Sequence, residues 1–188
     1  ASHPLAPLLL DFKAAREAWP ESPLPSSPEY PGGRSRVAAH IDSARTSHAA
    51  RFGTPPAGMW PAEGALSAAF LNQIGDAGFA WTASSHGVLR HSAGNAASTS
   101  VAWQAPAGTP GDTTLFFRNE RLSDLLGFEY ANWHGRDAAQ AFMTELQAVH
   151  AGDGSSLIPV FLDGENAWEY YPYNAWYFFS DLYDALEK

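Results

Sequence analysis

Apolar residues along this chain follow two rhythms. Some recur every three or four positions, as on one face of a helix, and others come in short unbroken runs, as in a strand covered on both sides. The first rhythm predicts a helix over Arg34 to Phe52, with Val37, Ile41, Ala44 and His48 on one face and Gly53 as its stop. It predicts a second over Leu66 to Ala77, with Leu66, Phe70, Leu71 and Ile74 facing a core and Gly78 ending it. A short helical stretch covers Leu122 to Phe128. A full helix covers Asp137 to His150, with Ala138, Phe142, Leu146 and Val149 on one face, and a last one spans Asn174 to Leu186. In that last helix Trp176, Phe179, Tyr183 and Leu186 keep a 3–4 spacing, which predicts core packing and not a membrane anchor. The second rhythm predicts strands near Gly58 to Trp60, in FAWTAS (79–84), in TTLFFR (113–118) and in SLIPVFLD (156–163). ESPLPSSPEYP (21–31) reads as a Pro/Ser loop, and the Gly/Ala/Ser-rich stretch 92–112 as surface loop. Short apolar strands alternating with helices predict an α/β architecture with parallel strands, either a barrel or a doubly wound sheet.

Composition narrows this picture. A chain of 188 residues is long enough for one domain with its own core, and 7 Trp within 13% aromatic residues are not the mark of a disordered tail. The formal charge of −9, with no basic stripe, argues against nucleic acid as partner and weakly against anionic membranes. No run of 18 apolar residues occurs, so no bilayer span is expected. The absence of Cys removes disulfides and thiolate zinc sites and fits a reducing, cytoplasmic compartment.

In α/β folds ligands gather at the carboxyl ends of the strands. There the first strand presents GMWPAEG with Glu63, the second WTASSH with Ser84, Ser85 and His86, the third FFRNERLSD with Arg118, Asn119 and Asp124, and the fourth LDGENAWE with Asp163 and Glu165. Two carboxyl groups delivered by different strands, Glu63 and Asp163, are what glycoside hydrolysis needs. One protonates the leaving oxygen while the other attacks the sugar carbon or activates water. Trp60, Trp168 and Tyr170 beside them would stack on the apolar C–H faces of pyranose rings.

GMWPAEGALS (58–67) and VFLDGENAWEYYP (160–172) resemble the third and fourth signature regions of glycoside hydrolase family 57. HPLAPLL (3–9) is similar to the second region, and FFRNERLSDLLGFEY (116–130) to a segment found between the third and fourth in the bacterial branch. The resemblance covers nearly the whole chain, in order. It implies a seven-stranded β/α barrel acting on α-glucans with retention, with no cofactor. It implies that Glu63 is the nucleophile, Asp163 the acid/base with Glu165 as a supporting acid, and His3 a ligand of sugar hydroxyls. The acid role asks for a protonated Asp163 near neutral pH, which Glu165 and partial burial would favour. The family's first and fifth regions have no counterpart, so the chain is expected to be one internal piece of a longer catalytic domain, with little activity by itself.

Plainer readings stand beside these. Glu63 would serve equally as a first-turn acid of the helix at Leu66, and Asp163 as a solvated strand-end residue turning with Gly164. Arg118 and Asp124 would form an ordinary surface ion pair, or Arg118 would orient a catalytic carboxylate. His86 is a candidate rim donor. His40 and His48 lie two helical turns apart, too far to share an ion, so no metal site is expected. No nucleotide-binding glycine loop and no Gly-x-Ser-x-Gly elbow occurs. Three activities of the catalytic pair stay open: an α-amylase, a 4-α-glucanotransferase and a branching enzyme. Outside them stand a glucan-binding barrel piece without chemistry and a metal-dependent polysaccharide deacetylase, which would need a closely spaced His pair that the chain lacks.

Overall fold

A computed structural model describes residues 5–27, 29–153, 157–164 and 168–187. The chain divides into two compact units. The first holds the described residues up to Ala97 together with Ala102–Phe117, and the second holds Ser98–Val101 and the described residues from Arg118 onward.

The first unit is built on helices α1 (Ala6–Leu10), α2 (Ala15–Ala18), α3 (Gly33–Phe52), α4 (Ala68–Asp76) and α5 (His86–Ala93), and strands β1 (Gly58–Met59), β2 (Trp81–Ser84), β3 (Trp103–Gln104) and β4 (Thr114–Phe117). The sheet order is β1-β2-β4-β3. The first two pairings are parallel, with Gly58 opposite Trp81 and Trp81 opposite Thr114. Gly58 is required there, because a Cβ would lie 1.9 Å from the Trp81 ring. Val37 and Ile41 of α3 pack with Phe70 and Ile74 of α4 and with Phe79. Leu71, Leu89, Leu115 and Phe117 form a second cluster. The glycine stop of α3 lies where the sequence predicts it, and two serine caps join it. Gly53 closes α3 at φ 77°, and the Ser67 and Ser85 hydroxyls accept the Phe70 and Val88 N–H groups at the starts of α4 and α5.

The second unit contains α6 (Glu120–Asp124), capped by the Asn119 carboxamide, a π-helical turn over Leu125–Glu129, a 3₁₀ turn over Tyr130–Asn132, α7 (Gly135–Asp153) and α8 (Trp176–Leu186). Gly135 lets α7 approach α8, since a Cβ there would sit 3.0 Å from the Phe178 amide nitrogen. Between them lies an aromatic core of Tyr130, Phe142, Tyr171 and Phe178, with Trp168 and Phe179 against it.

Four expectations are corrected. β3 falls inside the stretch read as surface loop and pairs antiparallel with β4, so the sheet is mixed. Residues 157–163 form no strand. Pro159 has no N–H to give, and the bonds of the segment include those from the Asn119 N–H to the Pro159 carbonyl (2.8 Å) and from the Phe161 N–H to the Ser123 hydroxyl (3.3 Å). The last helix begins at Trp176, because Tyr173, Asn174 and Ala175 are left-handed (φ 53°, 52° and 64°). This turn also sets its face. Phe178 and Leu182 are buried with Phe179 beside them, while Trp176, Tyr183 and Leu186 are exposed, contrary to the expected core face.

Candidate active site

The loop after β1 carries Glu63 in an unusual backbone. Its φ and ψ are 58° and 18°, the left-handed region that side chains with a Cβ seldom occupy. The turn is fixed from three directions. The Gly64 N–H donates to the Pro61 carbonyl (2.9 Å), and the Ala65 N–H donates to the Ala62 carbonyl (3.1 Å). The hydroxyl of fully buried Ser84, at the end of β2, donates to the Gly64 carbonyl (2.6 Å). Gly64 is itself at φ 64°, and the Trp60 ring lies so close that a Cβ on it would be 2.9 Å away. The result is an exposed carboxylate side chain on a rigid, strained pedestal. Trp60 is half-buried and lines a mainly apolar cavity of about 360 Å³ with Met59, His40 and His48. His86 is the first residue of α5 and half-buried.

In the second unit four of the sequence-predicted residues converge. Arg118, Asp124, Asp163 and Tyr170 line one cavity of about 330 Å³, together with Phe128 and Leu162. Arg118 continues from β4, Asp124 ends α6, and Asp163 follows the bonded segment at Pro159. The Arg118 Nη2 donates to Asp124 Oδ1, and the pair is only partly covered. The Arg118 Nε is buried and has no partner among the described residues. Asp163 is exposed and not partly buried, because Leu162 is the last residue of the segment to pack and Gly164 turns the chain away. Tyr170 is 73% exposed, whereas Trp168 turns inward onto Tyr171, Phe178 and Phe179, with ring centroids 4.6–6.3 Å away. Tyr171 is only 6% exposed. Its hydroxyl donates to the Leu126 carbonyl in the π-helical turn (2.6 Å), and burial pushes it up to about 12. His3 and Glu165 lie outside the described residues.

Phe128 was not singled out by sequence reasoning, yet it is 79% exposed and forms part of the cavity wall. Its place inside the long stretch FFRNERLSDLLGFEY was the available signal. The Ser84 clamp under Glu63 was equally unsignalled, since a buried Ser at a strand end reads as an ordinary β residue. Among the described residues, no group of three His, Asp or Glu side chains is arranged to hold a metal ion, and no helix is long and apolar enough to cross a membrane.

The whole chain, residues 1–188, matches the family model described as glycosyl hydrolase family 57. No curated protein matches it. An acid on a rigid turn after one strand, and a second acid in a cavity with arginine and tyrosine, are compatible with the chemistry of that family. The chain belongs to glycosyl hydrolase family 57, and is thereby a glycoside hydrolase or transglycosylase of α-glucans in general.

Proposed function

We propose that the chain carries the catalytic pair of a retaining, α-amylase-like enzyme, with its parallel strands part of the family's seven-stranded barrel. Glu63 attacks the anomeric carbon of an α-glucan and forms a glycosyl-enzyme as the glycosidic bond breaks. Asp163 gives its proton to the departing oxygen, then takes one from the incoming water as that water releases the sugar from Glu63. The observation that carries this reading is the gathering of Arg118, Asp124, Asp163 and Tyr170 around one cavity of sugar-binding size. Arg118 would hold a ring hydroxyl or the Asp163 carboxylate, and Asp124 fixes its guanidinium. Tyr170 would cover a sugar face, and the bound ring would shield the exposed Asp163 from water. Trp60 and Trp168 support the two acid-bearing loops, with Glu165 and His3 as the remaining polar contacts to substrate.

The left-handed Glu63 backbone fits this role, because strain of this kind collects where a side chain must be aimed. The test is a trapping experiment. A fluorinated glucosyl fluoride, whose glycosyl-enzyme hydrolyses slowly, is expected to add one sugar to Glu63, located by mass spectrometry of the digested chain. Asp163→Asn should lower release of phenol from an aryl maltoside by about 10²-fold or more. A label on another carboxylate, or unchanged turnover in Asp163→Asn, overturns the assignment.

A further inference from the structure

In the π-helical turn Leu125–Glu129, Phe128 faces outward and is 79% exposed between two depressions. On one side lies the cavity at Asp163. On the other is a more open cleft of about 560 Å³, lined by Arg121, Leu125, Glu129 and Trp133. Asp124, Phe128 and Asn132 border both. The two depressions are therefore neighbours with a shared wall, all within the second unit.

The outer cleft sets an aromatic ring beside fixed polar groups. Trp133 is 41% exposed, and its ring is braced from below by buried Tyr130, 5.0 Å away centre to centre in an edge-on contact. Arg121 is held in a two-pronged pair with Glu145, its Nη2 donating to Oε1 at 2.6 Å. A guanidinium fixed in this way offers its remaining N–H groups in a set direction. An aromatic platform beside fixed polar groups is the usual equipment of a sugar site. Nothing else in the cleft suggests an anion, since Asp124 and Glu129 supply negative charge there.

We propose that this outer cleft is a second subsite for the same α-glucan chain, taking a further glucosyl unit on Trp133, with Phe128 as the ridge over which the chain passes. The proposal rests on the cavity at Asp163 being the glucan site. It makes Phe128 a contact for any oligosaccharide and Trp133 a contact for long ones only.

The experiment is a calorimetric titration of the chain with maltotriose and with maltoheptaose. The wild type is expected to bind the longer sugar more tightly. Trp133→Ala should weaken maltoheptaose about 10-fold and leave maltotriose within about twofold, while Phe128→Ala weakens both. A variant-free reading guards against misfolding. In the wild type, the Trp133 indole N–H resonance should shift on addition of maltoheptaose and stay in place with maltotriose. An unchanged ratio of the two affinities in Trp133→Ala, or an indole signal indifferent to both sugars, overturns the outer subsite and leaves the Asp163 cavity intact. Binding of neither sugar by the wild type overturns both readings together.

Discussion

If Glu63 is strained for the sake of its chemistry, relieving the strain should make the chain more stable and useless as a catalyst. Glu63→Gly is the perturbation. At φ 58° and ψ 18° a residue with a Cβ costs about 1–2 kcal/mol that glycine does not. Against this, glycine loses about 0.5–1 kcal/mol more conformational entropy on folding. The Glu63 side chain is exposed, so deleting it removes little packing. The net expectation is a gain of about 0.5–1 kcal/mol. Glu63→Gln keeps both the backbone strain and the side-chain size, and should leave stability within about 0.5 kcal/mol of the wild type. Both variants should fail to form the glycosyl-enzyme. Urea unfolding supplies the numbers, read as a shift of midpoint at unchanged slope. A destabilised Glu63→Gly would show that the left-handed turn is not strained. Full turnover in either variant would show that the strain serves something other than nucleophilic attack.

The Ser84 hydroxyl under that turn is a separate handle. Ser84→Ala leaves the buried Gly64 carbonyl without its donor, should cost about 1–3 kcal/mol, and should slow glycosyl-enzyme formation with the carboxylate untouched. Gly58→Ala drives a methyl group into Trp81 and should cost several kcal/mol, seen as loss of the cooperative unfolding transition. The buried Tyr171 hydroxyl gives a pH signature. Its value in the folded chain, pushed up to about 12 by burial with a smaller push from Tyr130, exceeds the value of about 10 in an unfolded chain. The neutral hydroxyl is thus favoured by folding over the ionised one, so stability is unaffected by this group below pH 10 and falls by up to about 2–3 kcal/mol as pH rises through 12. The urea midpoint of the wild type should accordingly fall relative to that of Tyr171→Phe as pH rises from 10 through 12. A constant difference across that range would contradict the burial argument.

Much of this fold was legible where one rhythm dominates. The glycine stop at Gly53, the buried pair Val37 and Ile41, and the runs at Trp81 and Leu115 all lie where the apolar pattern puts them. The pattern failed where long-range contact decides. β3 is two residues long and exists only because Leu115 and Thr114 lie beside it, so no local signal marks it. The run at Ile158 has the composition of a strand, but Pro159 interrupts its bonding capacity. α5 has only Val88 and Leu89 to show as apolar, and its clearest sign is the cap at Ser85. In α8 the spacing Trp176, Phe179, Tyr183, Leu186 is a true helical stripe, but the neighbouring stripe through Phe178 and Leu182 meets α7. For the site, the acids at the loop ends were legible as types of residue. The left-handed backbone at Glu63 was not, because no glycine or asparagine announces such a turn at that position.

The π-helical turn has an evolutionary corollary. A π-helical turn fits one more residue into the space of an α-helical one, so removing a single residue from Leu125–Glu129 would restore ordinary winding and leave the segments on either side in register. Phe128 would leave the ridge, and the Leu126 carbonyl that receives the Tyr171 hydroxyl would be reclaimed by the helix. One deleted codon would then change the surface beside Asp163 while the flanking segments stayed as they are.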